Sequence, residues 1–289
     1  MSVIEDLLAR APVVTDGAWG TELQARGLSP GDCPDEWNLI RPAAVEEVAR
    51  AYVEAGSRVI LTNTFRSNRV TLAGHGLAEK TVELNRAGAA ISKRAAGSRA
   101  KVFASIGPSG KMLMAQETTE DELRAAFLEQ ARALAEGGAD ALVVETMSDV
   151  AEAKIAVEAA KSTGLAVVAC MVFDTGKVKD RTMMGNTPEQ AARELTDAGA
   201  DAIGANCGVG IESYVGICRR LKSATERPVW IKANAGLPEL VDGKTVWKMT
   251  PEVFAGFVPQ LIEAGASFIG GCCGTNPGFI RAVADVAGN

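Results

Sequence analysis

"LTDAGADAIGANC" (residues 195–207) closes a helical pattern, turns on a glycine and runs as a short apolar strand into Asn206 and Cys207. Three other stretches share this plan: "YVEAGSRVILTNTF" (52–65), "LAEGGADALVVETM" (134–147) and "LIEAGASFIGGCC" (261–273). In each, the glycine sits where a helix terminus takes a left-handed residue, and the strand ends in polar or sulfur side chains. Recurrence of helix, glycine and strand at this scale is the signature of stacked βα units on a parallel sheet.

Filling in the intervals yields eight strand candidates: 13–17, 58–64, 101–108, 141–147, 166–173, 202–208, 228–236 and 268–274. Helical patterns separate them. "TTEDELRAAFLEQARALAEGG" opens with capping residues, and "NTPEQAARELTDAGA" opens with Thr187 as N-cap and Pro188 at the first helical position. Eight alternations in 289 residues fit a single-domain (β/α)8 barrel spanning 1–289. A doubly wound sheet fits less well, because "DGAWGTELQARG" only loosely imitates the G-x-G-x-x-G that should follow its first strand. In a (β/α)8 barrel the chemistry sits at the C-terminal strand ends. Asp16, Thr64, Glu145, Asn206, Cys207, Asn234, Cys272 and Cys273 all fall at those ends.

A net charge of −6 without any basic tract argues against a nucleic-acid partner. The N-terminus has acidic residues inside its apolar stretch and lacks the pattern of a secretion signal. No run reaches the ~18 apolar residues of a membrane helix. A cytoplasmic location is therefore expected, where thiols stay reduced. Six cysteines and a single histidine, His75, then bound the chemistry. His75, between glycines in "AGHGL", reads as a surface residue, and Cys33, Cys170 and Cys218 read as packing residues.

Cys207, Cys272 and Cys273 read differently. Neighbouring side chains in a strand point to opposite faces, so the Cys272–Cys273 pair must leave strand geometry for both sulfurs to converge with Cys207. Gly270, Gly271 and Gly274 are expected to permit this. Three thiolates with one open position describe a catalytic zinc site rather than a structural one. Plain packing and a strained vicinal disulfide are the alternatives. A zinc ion rich in sulfur ligands is a poor source of hydroxide, but a substrate thiol at its open position would lose its proton and remain nucleophilic. The chemistry expected of such a site is thiol alkylation.

"GANCG" and "GGCCGT", together with "DGAWGTELQARG" and "LTNTF", resemble the homocysteine S-methyltransferase family over nearly the whole chain. "SIGPSGKML", "ANAGLPEL" and "MTPEVFA" are more similar to the homocysteine-binding module of cobalamin-dependent methionine synthase than to the betaine-dependent enzyme. The resemblance implies a zinc barrel that methylates homocysteine to methionine. It makes Cys207, Cys272 and Cys273 the zinc ligands, with Asn234 filling the fourth position before substrate arrives. It assigns Glu145 to the substrate ammonium, places Asp16, Gly17 and Thr64 around the amino-acid head group, and lets Ser105 add a hydrogen bond to the carboxylate. Trp19 and Met147 flank the expected pocket. With aromatics at only 5% of the chain, a cation–π cage for betaine, S-methylmethionine or another sulfonium is hard to build. That scarcity favours methylcobalamin carried by a separate corrinoid protein. Two competing readings are a barrel binding a sugar phosphate at "ANAGLP" and "GGCCGTNP", and a non-catalytic zinc barrel binding a thiol or partner.

Overall fold

The structure, a computed structural model, describes residues 2–241 and 244–288. Strands β1 (Val13–Val14), β2 (Val59–Ile60), β3 (Lys101–Ile106), β4 (Ala141–Met147), β5 (Ala166–Met171), β6 (Ala202–Gly210), β7 (Val229–Asn234) and β10 (Ala266–Gly271) form one parallel sheet in the order β1-β10-β7-β6-β5-β4-β3-β2. Helices fill the intervals, so the sheet curls into a (β/α)8 barrel. The four glycines of the repeats, Gly56, Gly138, Gly199 and Gly265, have φ of 104°, 94°, 96° and 101°. Each is the left-handed turn that lets a helix end and the next strand begin without a Cβ clash. Thr119 and Thr187 both cap their helices through capping boxes, the second with Pro188 following.

Period-two alternation sorts the barrel interior into layers. Val13, Val59, Phe103, Val143, Val168, Ala202, Trp230 and Phe268 form an apolar lower layer, closed from below by Ile4 and Leu7 of the first helix, Val3–Leu8. Phe103 stacks on Trp230 at 5.9 Å between centroids, and Trp230 meets Phe268 at 5.1 Å. Two residues further along their strands, the inward positions become Ser105, Glu145 and Lys232, and four residues beyond Ala202 and Phe268 come Asn206 and, just past its strand, Cys272. This polar layer is the floor of the site.

Three differences from the sequence reading have physical causes. First, β1 and β2 are two residues long rather than five and seven. Their seam is closed by the Arg58 amide donating to the Val14 carbonyl at 2.8 Å, and then by the Leu61 amide donating to the Asp16 side chain at 2.7 Å. A carboxylate thus replaces the backbone acceptor that would have continued the ladder. Second, the last strand ends at Gly271, so both cysteines lie just beyond it. Third, an antiparallel hairpin, β8 (Glu239–Val241) with β9 (Lys244–Val246), follows β7, where none was expected. The "DG" in "ELVDGKTV" is the sequence signal for it. No helix among the described residues is long and apolar enough to cross a membrane.

Candidate metal and substrate site

The C-terminal mouth encloses a cavity of about 460 Å³. The three thiols lie at its base, their sulfurs all within 4.8 Å of one another, with Cys207 Sγ and Cys273 Sγ 3.8 Å apart. Each of these two is out of phase with an inward neighbour, Asn206 or Cys272. Cys207 is brought round by a left-handed backbone, φ 64°, a conformation that costs a non-glycine residue roughly 1–2 kcal/mol. The Cys272–Cys273 segment is pinned by β7: the Cys272 amide donates to the Ala233 carbonyl at 2.7 Å and the Ala235 amide to the Cys273 carbonyl at 3.0 Å. The glycines around it act differently from expectation. Only Gly274 has a positive φ, 80°, and a Cβ there would also overlap the Trp247 ring. Gly270 and Gly271 are needed for space: a Cβ would strike Thr15 and the Asp16 carbonyl at the first, and Thr275 at the second.

The thiols fit a thiophilic metal. Zinc–sulfur bonds of ~2.3 Å in a tetrahedron put sulfurs about 3.8 Å apart, the separation of Cys207 and Cys273. Hydrogen bonds from Cys272 and Cys273 pull the Cys207 thiol down to about 3, while the same contacts push Cys272 up and Cys273 to about 12. Three thiols this close oppose one another's ionisation, and a bound cation is what would let all of them ionise. Asn234 donates to the Gly208 carbonyl at 2.9 Å, leaving its buried Oδ1 with no hydrogen-bond partner.

Beside the thiols lies a buried charge cluster. Lys232 is ion-paired with Asp16, with side chains 2% and 0% exposed. Burial disfavours the charge on Lys232, but Asp16 and Glu145 outweigh it and raise its pKa. Asp16 Oδ2 also accepts from Trp19 Nε1 at 2.8 Å and from Leu61. Glu145 accepts from Ser105 Oγ and, at 3.2 Å, from Asn206 Nδ2. Desolvation raises its pKa, opposed by Lys232. Asn206 also grips Thr146, accepting from its amide at 2.7 Å and donating to its hydroxyl at 2.7 Å. That clamp holds Thr146 at φ 60°, a rare conformation for a β-branched residue. The cluster thus sets two carboxyl groups, Asp16 and Glu145, against the single Lys232 ammonium.

The structure therefore gathers Gly17, Ser105, Glu145, Cys207, Cys272 and Cys273 around one cavity. Asp16 borders it from behind with every contact directed into the protein. Thr64 also faces away, its hydroxyl donating to the Ser105 carbonyl at 2.7 Å. Trp19 lines the cavity, whereas Met147 is packed in the core between barrel and helices. Cys33, Cys170 and Cys218 are buried free thiols, and His75 is exposed. Sequence reasoning missed Lys232, although a lone lysine inside the apolar "VWIKAN" strand nearly always has a buried partner. Arg66, Trp247 and Thr245 also line the cavity and were not anticipated.

Three convergent thiols and a buried carboxylate at the C-terminal mouth of a (β/α)8 barrel make a donor set that could hold a thiophilic metal. The family model "Homocysteine S-methyltransferase" matches residues 13–287. The chain belongs to that family. It is 33% identical to methionine synthase of Mycobacterium tuberculosis over 98% of this chain and 25% of that protein. Against methionine synthase of Mycobacterium leprae the identity is also 33%, over 96% of this chain and 24% of that protein. The chain thus spans about a quarter of these relatives. Among solved structures, the metallated form of the homocysteine methyltransferase MmuM from Escherichia coli superposes with a TM-score of 0.81, at 24% identity, covering 97% of this chain and 98% of that one.

Proposed function

We propose that this chain transfers a methyl group to the thiol of homocysteine, giving methionine, with zinc held by Cys207, Cys272 and Cys273. The observation that carries the reading is the convergence of three sulfurs within 4.8 Å of one another, Cys207 and Cys273 at 3.8 Å, at a cavity of about 460 Å³. Zinc in that position lowers the pKa of a thiol that binds it. Asn234, with its unpartnered Oδ1, is the side chain available to complete the ligand set without substrate. Glu145, oriented by Ser105 and Asn206, takes the substrate ammonium. Gly17 lines the cavity beside the head group, and it carries no side chain because a Cβ there would press on the buried Tyr52 and Thr275 at 2.8 Å. The thiol proton leaves to solvent. The sulfur then forms its bond to the methyl carbon as the bond between methyl and donor breaks, the electron pair leaving with the donor.

The cavity changes the reading of the donor. Aromatics are scarce in the chain, yet Trp19, Phe65 and Trp247 all line this one cavity. A cationic methyl donor, a sulfonium or quaternary ammonium, is attracted to such faces by ~0.5–2 kcal/mol each. We therefore place a small onium donor first. Methylcobalamin on a separate corrinoid protein is the second reading. It is supported by the identity to methionine synthase and by exposed apolar residues on loops at the barrel mouth: Met112 and Met114 after β3, Val178 and Met183 after β5, Leu237 after β7 and Leu240 in the hairpin.

The test is zinc content of reduced protein beside a Cys273→Ser variant, proton release on adding homocysteine, and turnover with S-methylmethionine, betaine or methylcobalamin. One zinc per chain, lost in the variant, with proton release and methionine formed, supports the reading. Absence of both zinc and proton release would overturn it and favour a phosphate-binding barrel. Zinc and proton release without turnover from any donor would favour the non-catalytic barrel.

A further inference from the structure

Two cationic residues line the cavity, Lys232 and Arg66. Lys232 is consumed by Asp16. Arg66 is exposed, and among the described residues its guanidinium forms no ion pair and no hydrogen bond. Its backbone, by contrast, is firmly held. The Arg66 amide donates to Asp35 Oδ1 at 3.0 Å, Ser67 Oγ donates to the same oxygen at 2.6 Å, and the Gly107 amide donates to the Phe65 carbonyl at 3.0 Å. Gly107 is required there, because a Cβ would overlap that carbonyl and the Phe65 ring. The turn after β2 is therefore a rigid mount for an uncommitted cation at the cavity wall.

Among the described residues, two other buried polar groups in the same wall have no hydrogen-bond partner: Thr21 Oγ1 and Trp247 Nε1. Both can donate. Buried donors left unmatched cost roughly 1–3 kcal/mol each unless something else satisfies them. The charge balance points the same way. The ligand's ammonium has Glu145 and its sulfur has the thiol cluster, but no cation yet answers its carboxylate.

We infer that Arg66, with Thr21 and Trp247 contributing neutral donors, is the carboxylate-recognising element of this cavity, selecting ligands that carry an amino-acid carboxylate. A guanidinium suits that task because its planar fork matches a carboxylate with two parallel hydrogen bonds. This rests on the homocysteine reading above. The carboxylate can belong to the acceptor, homocysteine, or to a zwitterionic onium donor such as S-methylmethionine, and the experiment separates the two.

Homocysteine binding is followed by proton release in zinc-loaded wild type, Arg66→Gln and Arg66→Lys, with 3-aminopropanethiol, the same thiol without its carboxylate, as control. KM for S-methylmethionine is measured in parallel. If the acceptor's carboxylate is held, Arg66→Gln weakens homocysteine by about 10- to 100-fold, leaves 3-aminopropanethiol unchanged, and is partly rescued by lysine. If the donor's is held, homocysteine binding is unchanged and KM for S-methylmethionine rises by a similar factor. Equal behaviour of variant and wild type toward both overturns the inference. So does an equal loss for homocysteine and the decarboxylated thiol. Failure of wild type to bind any thiol would instead mark failure of the homocysteine reading. Zinc content, unchanged in the Arg66 variants, confirms that the fold and thiols are intact.

Discussion

Replacing Lys232 with methionine tests whether the buried pair is structural as well as functional. Lys232 and Asp16 are both essentially without solvent. Removing the ammonium leaves Asp16 as a buried carboxylate whose remaining donors are Leu61 N and Trp19 Nε1. Breaking a buried pair from one side costs about 3–5 kcal/mol. A chain of this length unfolds with an entropy of about 0.6 kcal/mol/K, so the melting temperature should drop by about 5–8 °C. Adding Asp16→Asn should restore a good part of the loss, because the amide oxygen still accepts from Leu61 and Trp19 while the orphaned charge is gone. Differential scanning calorimetry on wild type, the single variant and the double variant at neutral pH reads all three. A single variant melting within about 2 °C of wild type, or a double variant no better than the single, would refute the assignment of Asp16 as a buried charge dependent on Lys232.

Burial raises the Asp35 carboxyl to about 6, above its unfolded value of ~3.9. The folded state therefore holds its proton more tightly. The resulting stability is fully present below pH ~4 and is lost as pH rises through about 6, in total about 3 kcal/mol. Urea melts of wild type and Asp35→Asn between pH 4 and 7 should differ by that changing amount; parallel curves would contradict it. Asn206→Ala removes the clamp on Glu145 and Thr146 and should cost about 2–3 kcal/mol in urea melts, with a raised KM for homocysteine. A variant as stable as wild type would deny the clamp. Gly274→Ala should lower zinc affinity in a chelator competition, because alanine at φ 80° is strained and would overlap Trp247; unchanged affinity would show that the turn absorbs the methyl group.

The barrel was legible because its repeats are local chemistry. Gly56, Gly138, Gly199 and Gly265 announce helix ends through a conformation only glycine adopts freely, and the apolar runs after them have the length of buried strands. The thiols were legible because cysteine pairs between glycines are rare in a strand context. What stayed hidden depends on three-dimensional partners. Sequence spacing could not say that Asp16 would spend its acceptors on Lys232, Trp19 and Leu61, or that Thr64 would turn toward the Ser105 carbonyl. The share of aromatics was a weak guide to the donor, because composition counts rings without saying how many gather in one place: Trp19, Phe65 and Trp247 come from three different loops. Arg66 was invisible for the opposite reason, since an arginine in a loop is ordinary until its partners are seen to be missing.

The seam between the two shortest strands is also part of the site. Among the described residues one backbone hydrogen bond, Arg58 to Val14, the Ser57 hydroxyl on the Thr15 carbonyl and the Asp16 carboxylate hold β1 to β2 there, so the barrel is buttoned rather than sewn at this point. The button is fastened from the inside by the lysine that faces the cavity. Whatever occupies the cavity and shifts the charge balance of Lys232 and Glu145 acts on the fastening as well. The Leu61 amide, 45 residues from Asp16 in sequence, thereby becomes a gauge: its exchange with solvent should slow when ligand binds, reporting occupancy through the wall of the barrel itself.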